Sequence, residues 1–580
     1  MELLKTTGNP PWGAGRSKRF LKADVEYLRD ICLLDITDEM EWKLFLNGEV
    51  EEGKTFTEFK ALIDSLIKMK EKRRRNFDRE RRLVIWTSRL SLFNVYVRMV
   101  GDDLTPTIIT KFINGRTEHL VMSVSNKHLE FRNFDLIAGE PAKEVNLTYS
   151  FNSKTDIGAM KSFIEMRMEQ GLSDWTQLNY TIANNSIKLF YRDFSTQTKQ
   201  RLRLEILKRV PSLELTQYFD HSSKGGVLLC NKNIMNKVIN NVYASDVNEA
   251  FNSQYVRGDD FPIGKPRKVD PKELKNLVKG DKYFFMVIKS NEELNLPPWI
   301  KPFVFEDNYY YMLEQYDYKS LRTMGLTLKK LGLNWSIKAI YTCDEIGYLD
   351  WKVRQKIVKM YGNRRYLKKL SDPSEKIIKA ELKYLYGKGL QCRNFENNTH
   401  VQAFYNRVES YMSQAISYHA MARNRYEIIT MLDRLNWNYA ACDTDGIKTQ
   451  HPNAAAIFAQ RNEEIRRENI RAGFLHTEIG LWKCEGLYPR FIQFGNKVYA
   501  YEKDGELVCK FAGCLKEAWK AYFSQFSLDD CFFLLENCDV QIPKGCVRRR
   551  LKMNDNGVFY IKKDYLSYGL NGVDELEVVE

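Results

Sequence analysis

Two short runs, almost two hundred residues apart, constrain this chain more than anything else in it. NVYASDVNEAF, around Asp246, reads as a buried strand leading into a turn or helix. NYAACDTDGIKTQ, around Asp443 and Asp445, reads as strand, tight turn and strand with acidic residues at the turn. One Asp at the end of a strand and an Asp-x-Asp at the hairpin of the neighbouring antiparallel pair would bring carboxylates together on a rigid support. That is what hard cations such as Mg²⁺ require. Two such ions can activate a hydroxyl and hold a triphosphate with its leaving pyrophosphate. Either run alone is weak, because Asp-Gly is ordinary turn chemistry; the order of the motifs and what lies between them carry the argument.

The 580 residues are too many for one hydrophobic core, so two or more domains are expected. A hydrophobic fraction of 44% with 13% aromatics argues for folded cores rather than disorder. The 89 Lys and Arg against 75 Asp and Glu leave a net charge of +14, spread along the chain. That suits a basic channel for a polyanion, and on charge alone it suits equally a basic soluble protein without one. The eleven Cys form no CxxC pair and no zinc-like cluster, so free thiols in a reducing cytoplasm are expected. Cys442, Cys509 and Cys514 sit in apolar, strand-like runs. The N-terminus lacks an apolar signal core, and no apolar run of about 18 residues suggests a membrane span.

The first ~190 residues read as mixed α/β, with a helix in TFTEFKALIDSLIKMKEK and a strand in LVIWTS. Arg73 to Arg75 lie between them, on what reads first as a solvated face. Further on, VRQKIVKMYGNRRYLKK and SEKIIKAELKYLYGK read as two helices. They are split at Ser371-Asp372-Pro373, with Ser371 a helix cap and Pro373 at an early helical position. A long helix is expected from about 403 to 435.

In order, these pieces resemble family B DNA polymerases, and in particular the protein-primed polymerases of small bacteriophages. The family carries D-x-x-S-L-Y-P, then K-x-x-x-N-S-x-Y-G, then Y-x-D-T-D-S. Here stand Asp246-Val247-Asn248-Glu249-Ala250-Phe251, then Lys379 through Tyr386-Gly387, then Cys442-Asp443-Thr444-Asp445-Gly446. Lys224-Gly225-Gly226 resembles the segment between nuclease and polymerase domains, and Lys497-Val498-Tyr499 the K-x-Y motif at the primer end. Lys510-Phe511-Ala512-Gly513 resembles a K-x-A-G stretch of the protein-primed subgroup.

The resemblance implies roles. Asp246 and Asp445, with Asp443 the less consistent third, would hold two Mg²⁺ ions, with Mn²⁺ as the substitute; Val247 lies at the same metal and nucleotide position. Lys379 would meet the triphosphate of an incoming dNTP, and Tyr386, on roughly the same helix face, would pack against the nascent base pair. Phe251 would exclude a 2′-hydroxyl. Lys224, Gly225, Gly226, Lys383, Lys497 and Tyr499 would contact the DNA primer-template, the last two alternating along a strand toward the primer backbone. The departures fall at Glu249-Ala250, at Lys383-Tyr384 and at Gly446. None removes a metal ligand; they bear on template contacts and nucleotide selection.

The same resemblance divides the chain into an α/β (α+β) multidomain protein. A ribonuclease H-like, degenerate 3′–5′ exonuclease domain would span 1–190, and a right-hand polymerase 191–580. Within the latter fall a palm (191–257 and 406–525), fingers (353–391) and a thumb (526–580). A ~95-residue insertion, 258–352, resembles the docking surface of a terminal priming protein; a second insertion, 389–405, is short. The proofreading carboxylates are largely replaced. Asp35-Ile36-Thr37 keeps one, Ser88, Ser91 and Leu92 occupy the second motif, and Asn184 the third; Asp38, Glu39 and Asp135 are nearby acids without the right spacing. A DNA polymerase without proofreading is therefore expected, monomeric or paired with its priming protein, in the bacterial host cytoplasm. The alternatives are a polymerase-derived, template-independent nucleotidyltransferase, as in phage defence, and a non-catalytic nucleic-acid-binding relic.

Overall fold

The computed structural model describes residues 193–372 (apart from 210, 223–224, 328–329 and 331–333), 374–389, 414–511 and 516–537. In the N-terminal third it describes mainly strands between 33 and 133, and near the C-terminus a hairpin within 549–563. Lys224, Thr37, Asp38, Glu39, Ser91, Leu92, Asp135, Asn184, Pro373, Cys514 and the stretch 390–413 lie outside the described residues. The chain divides into two compact units, 1–185 with 548–564, and 186–547 with 565–580.

The first unit is built on a mixed sheet: β1 (Leu33–Ile36), β2 (Trp42–Leu46), β3 (Glu49–Gly53), β4 (Arg82–Thr87), β5 (Thr107–Ile113), β6 (Arg116–Val124) and β7 (Lys127–Asn133). Their order is β3-β2-β1-β4-β7-β6-β5. β1 is antiparallel to β2 and parallel to β4, and β4 is parallel to β7. The central strands read as apolar runs because both faces are covered: Leu33, Leu34, Val84, Ile85 and Trp86 are fully buried.

The second unit holds two large antiparallel sheets and a separate two-stranded antiparallel pair among its described residues. Its strands are β8 (Val227–Cys230), β9 (Ile239–Val247), β10 (Phe261–Pro262), β11 (Arg267–Val269), β12 (Phe284–Ser290), β13 (Phe303–Phe305), β14 (Asn308–Glu314), β15 (Trp335–Thr342), β16 (Ile346–Gly347), β17 (Ala441–Thr444), β18 (Gly446–Thr449), β19 (Trp482–Gly495), β20 (Val498–Lys503) and β21 (Glu506–Phe511). Its helices, in chain order, are α1 (Thr196–Lys208), α2 (Leu213–His221), α3 (Ala250–Arg257), α4 (Leu274–Lys279), α5 (Gln315–Thr323), α6 (Trp351–Lys369), α7 (Ser374–Gly389), α8 (Gln414–Arg434), α9 (Ala454–Arg471), α10 (Lys516–Phe523) and α11 (Leu528–Glu536). One sheet runs β21-β20-β19-β9-β18-β17-β8, so Asp246 on β9 and the Asp-Thr-Asp turn are brought together across nearly two hundred residues of chain. The other, β11-β15-β12-β14-β13, is built from the 258–352 segment.

α8 joins them. Its residues are buried on nearly every side, and Ile428, Ile429 and Leu432 share one core with Val247 and Ile447 of the first sheet and Met286, Ile288 and Ile340 of the second. Each such side chain contributes about 1.5–3 kcal/mol of burial, so the long segment is an integral layer rather than an appendage. The charged residues on α8 are neutralised where they enter the core. Arg425 pairs with Asp317 at 3.0 Å, and His419 lies between Glu314 (2.7 Å) and Asp260 (3.3 Å). The expected helix pair is α6 and α7. Ser371, read as the cap of the second, instead ends the first: it takes a left-handed backbone (φ 55°), and the Asp372 amide reaches back to the Leu367 carbonyl at 3.0 Å.

Candidate active site

Asp246 is the penultimate residue of β9, facing Gly446 on β18 and Lys483 on β19. β17 and β18 pair as far as Asp443 with Gly446, which leaves Thr444 and Asp445 as a two-residue turn. Thr444 has φ 56°, and the Asp445 amide donates to the Asp443 carbonyl at 2.5 Å. This is the rare γ-turn, strained for any side chain and more so for a β-branched one. The turn is tied to the strand beside it: the Val247 amide donates to the Asp445 carbonyl at 2.8 Å.

Two glycines make the arrangement possible. A Cβ on Gly446 would stand 3.3 Å from Asp246 Oδ1, so the serine of the family pattern would crowd the carboxylate here. A Cβ on Gly226 would come within 2.6 Å of Thr444 Cγ2, so this glycine of the Lys224-Gly225-Gly226 segment lets β8 close against the turn. Gly225 meets nothing within 4 Å.

The electrostatics are those of negative charges pressed together. Burial, then Asp445 and Glu485, push the Asp246 carboxyl up to about 8, with Lys448 and Lys510 opposing. Burial, then Asp443, push Asp445 up to about 6, with Lys448 and Lys497 opposing. Asp246 Oδ1 is buried and has no hydrogen-bond partner among the described residues. Asp443 is differently placed: its Oδ1 pairs with Lys497 Nζ at 3.4 Å. Among the described residues no group of three or more His, Cys, Asp and Glu side chains is gathered to hold a metal ion. Asp246 and Asp445 do have the chemistry of a cation-deficient pair, with an orphaned buried oxygen and two carboxyls that resist ionisation.

Beside them lies a basic and aromatic surface. Tyr499 on β20 is buried, and the ammonium groups of Lys448 and Lys510 lie 4.8 and 5.7 Å from its ring centre. Tyr488 stacks on Tyr501 at 4.0 Å. Lys497 and Tyr499 do not alternate along one strand as expected: Lys497 (φ 62°) is in the turn before β20, because that hairpin needs a left-handed residue there.

Lys379 and Lys383 are exposed on α7, whereas Tyr386 is turned inward, its hydroxyl buried without a hydrogen-bond partner among the described residues. Tyr386 and Phe251 meet as stacked rings. Gly387 has open space around it, so no steric demand fixes that glycine. Glu249, a left-handed residue (φ 53°), makes an ion pair with Arg364 of α6, which also holds Glu375 at 2.8 Å. Asn252 adds to this junction, donating to Glu249 and to the Leu382 carbonyl, each at 3.0 Å. Sequence reasoning missed Arg364, Asn424 and Lys448; the signal for the first was the acid at Glu249 where the family pattern has serine.

In the N-terminal unit, Asp35 accepts a hydrogen bond from the Ser88 hydroxyl. On β7, Glu130 and Arg132 form a buried two-point ion pair at 3.1 and 3.2 Å.

No family model matches the chain, and no curated protein does. Solved structures do, and they define a class of fold: that of a DNA polymerase. The structures are those of phi29 DNA polymerase, a protein-primed family B enzyme. With its complex with primer-template DNA and incoming nucleotide substrates, the chain superposes at TM-score 0.55 and 14% identity, over 92% of this chain and 98% of that one. With its complex with single-stranded DNA the values are 0.54 and 15%, over 86% and 94%, and with a primer-template binary complex 0.53 and 14%, over 86% and 94%. The resemblance read from the motifs thus extends to the fold over most of the chain.

Proposed function

We propose that this protein is a DNA-directed DNA polymerase, working by two-metal nucleotidyl transfer from a protein-primed start and without proofreading. The observation that carries the reading is the pairing of Asp246 with the Asp443–Gly446 hairpin at one end of neighbouring strands of the sheet, where two carboxyls pressed together resist ionisation and one buried oxygen has no partner among the described residues.

In this reading the sheet with β9, β17 and β18 is the palm, α6 and α7 are the fingers, and the 258–352 sheet is the surface for a priming protein. The ions, held by Asp246 and Asp445, would lower the pKa of the attacking hydroxyl and neutralise the triphosphate. The hydroxyl oxygen attacks the α-phosphate of the dNTP; the bond to the β-phosphate breaks, and pyrophosphate leaves. Asp443, held by Lys497, steadies the turn and adds negative charge beside Asp445. Lys379, exposed on α7, is free to meet the triphosphate as a point charge. Phe251 and Tyr386 form an apolar wall for the sugar and base. Lys510, only partly buried, and the exposed Lys497 suit a strand backbone that passes the carboxylates, while Lys448 and the tyrosines of β20 are buried beneath.

The first sheet has the β3-β2-β1-β4 order, with β1 antiparallel to β2 and parallel to β4, that ribonuclease H-like sheets have. This supports a nuclease-like scaffold whose retained acid, Asp35, is engaged by a serine. The test is template-directed primer extension by the purified chain with Mg²⁺. Ordered incorporation that copies the template supports the reading; untemplated tailing would favour the template-independent alternative.

A further inference from the structure

Asn424 lies in the middle of α8 and is fully buried. Its Nδ2 donates to the carbonyl of Thr444 at 3.1 Å, and its Oδ1 has no hydrogen-bond partner among the described residues. A buried carboxamide half satisfied in this way is costly, and the half that is used points to its purpose. Thr444 is the strained residue of the γ-turn between the two acids. A β-branched side chain at positive φ persists only where the surroundings over-determine it.

Three contacts do so. Asn424 holds the Thr444 carbonyl, Val247 holds the Asp445 carbonyl, and the bare backbone of Gly226 lies against Thr444, where a Cβ would come within 3.0 Å of its Cα. The peptide that Asn424 grips is the one joining Thr444 to Asp445. Releasing it would let the turn relax toward an ordinary backbone and swing the Asp445 carboxylate away from Asp246.

We propose that Asn424 is a positioning residue for the carboxylate pair. It acts on Asp445 through the Thr444 peptide, converting the rigidity of a helix buried between two sheets into the fixed spacing of the metal-holding acids. The inference rests on the proposed polymerase reading for the identity of the reaction, but not for the geometry.

The experiment is a double-mutant cycle on the full chain with two readouts. One is Mn²⁺ affinity of the nucleotide-free protein, by electron paramagnetic resonance; the other is kcat and KM for templated dNTP addition. Residues that orient metal ligands from behind typically cost 10–100-fold in metal affinity or activity when removed, so Asn424→Ala should weaken Mn²⁺ binding about tenfold or more and lower kcat with dNTP KM little changed. Thr444→Gly relieves the left-handed strain, so in that background the same Asn424→Ala change should cost no more than about threefold. Gly226→Ala, which presses on the same turn from the other side, should weaken Mn²⁺ binding in the same direction and stands in if Asn424→Ala does not fold. Equal losses in both backgrounds would overturn the inference, as would unchanged Mn²⁺ affinity in both Asn424→Ala and Gly226→Ala. If the chain binds Mn²⁺ with the expected coupling yet adds no nucleotide, the polymerase reading falls and the positioning role stands.

Discussion

The ring of Phe251 lies flat on the ring of Tyr386, their centroids 4.0 Å apart and their planes 5° from parallel. Phe251 follows the first acidic motif and Tyr386 sits on α7, so the stack couples the helix after Asp246 to a separate helical pair. Such a pair contributes about 0.5–1.5 kcal/mol beyond its burial. If Phe251 excludes a 2′-hydroxyl, it needs Tyr386 behind it to stay in position. Phe251→Val should raise the kcat/KM ratio of ribonucleotides to deoxyribonucleotides. Tyr386→Ala should raise it too, and the double variant should fall short of the product of the two. Discrimination left intact by Phe251→Val would place the gate elsewhere.

Replacing Asp246 or Asp445 by Asn should reduce nucleotide addition by roughly 10²-fold or more, as loss of a preorganised charge at a reacting centre does. Asp246→Asn should also make the metal-free protein more stable. A carboxyl whose pKa is raised to about 8 in the folded state, against about 4 unfolded, penalises folding increasingly as pH climbs between those values. The melting temperature of Asp246→Asn in chelator should therefore exceed that of the parent at pH 8 and approach it at pH 4. A variant that is less stable at pH 8 would contradict the buried, unpartnered carboxyl.

What was legible beforehand follows from how local each signal is. The acidic hairpin, the strand ending at Asp246 and the helix pair α6 and α7 are set by periodicity and turn chemistry within a dozen or so residues. Phe251 and Tyr386 could be nominated from motifs, but their stacking depends on how α3 and α7 pack. The contact of Asn424 with Thr444 was invisible, because an Asn inside a helical run has no signature until the partner backbone is known. Lys497 was misjudged for a related reason: a turn residue and a strand residue two positions apart look alike in sequence when the turn lacks glycine at the left-handed position.

His419 gives a stability test away from the chemistry. Its imidazole is enclosed by Glu314 and Asp260, with Tyr316, Tyr283, Asp317 and Arg423 close by. Burial works against its charge, and the two carboxylates outweigh it, raising its pKa to about 9. The unfolded imidazole titrates near 6.5, so the stabilisation is complete below about that pH and is lost as pH rises through 9. Thermal melts should show the parent losing stability between pH 7 and pH 10, by an amount on the order of 3 kcal/mol at most. His419→Gln should be less stable at pH 6.5 and show a flatter decline. Parallel curves for the two proteins would mean that the imidazole is not charged in the fold.

The 258–352 sheet should support priming by a protein hydroxyl. A palm needs no second five-stranded sheet of its own, and this one shares a core with α8 and the strands that carry Val247 and Ile447. A partner held on such a layer would be fixed relative to the acids. With Mg²⁺ and labelled dNTP, a co-encoded partner should acquire a covalent nucleotide on Ser, Thr or Tyr, and Asp445→Ala should abolish the transfer. Initiation that always requires a nucleic-acid primer would remove this expectation.

The N-terminal unit should not proofread. Exonuclease chemistry needs a metal-activated water, and the metals need several converging carboxylates. Asp35, at the end of β1, is engaged by the Ser88 hydroxyl that β4 brings alongside it, which is a neutral donor where a second acid or a cation would be needed. A buried acid on that sheet, Glu130, is held by Arg132 through two hydrogen bonds, so its charge is already neutralised by a guanidinium. Arg132 lies in turn 5.7 Å from the Trp86 ring centre. An aspartate bonded to a hydroxyl and a glutamate paired with an arginine are poorly placed to hold divalent cations. A mismatched 3′ end incubated with Mg²⁺ or Mn²⁺ and no nucleotide should therefore remain full length. Addition of dNTP should extend or stall it without prior shortening. Shortening that survives Asp246→Ala and disappears in Asp35→Ala would assign this unit a nuclease activity after all.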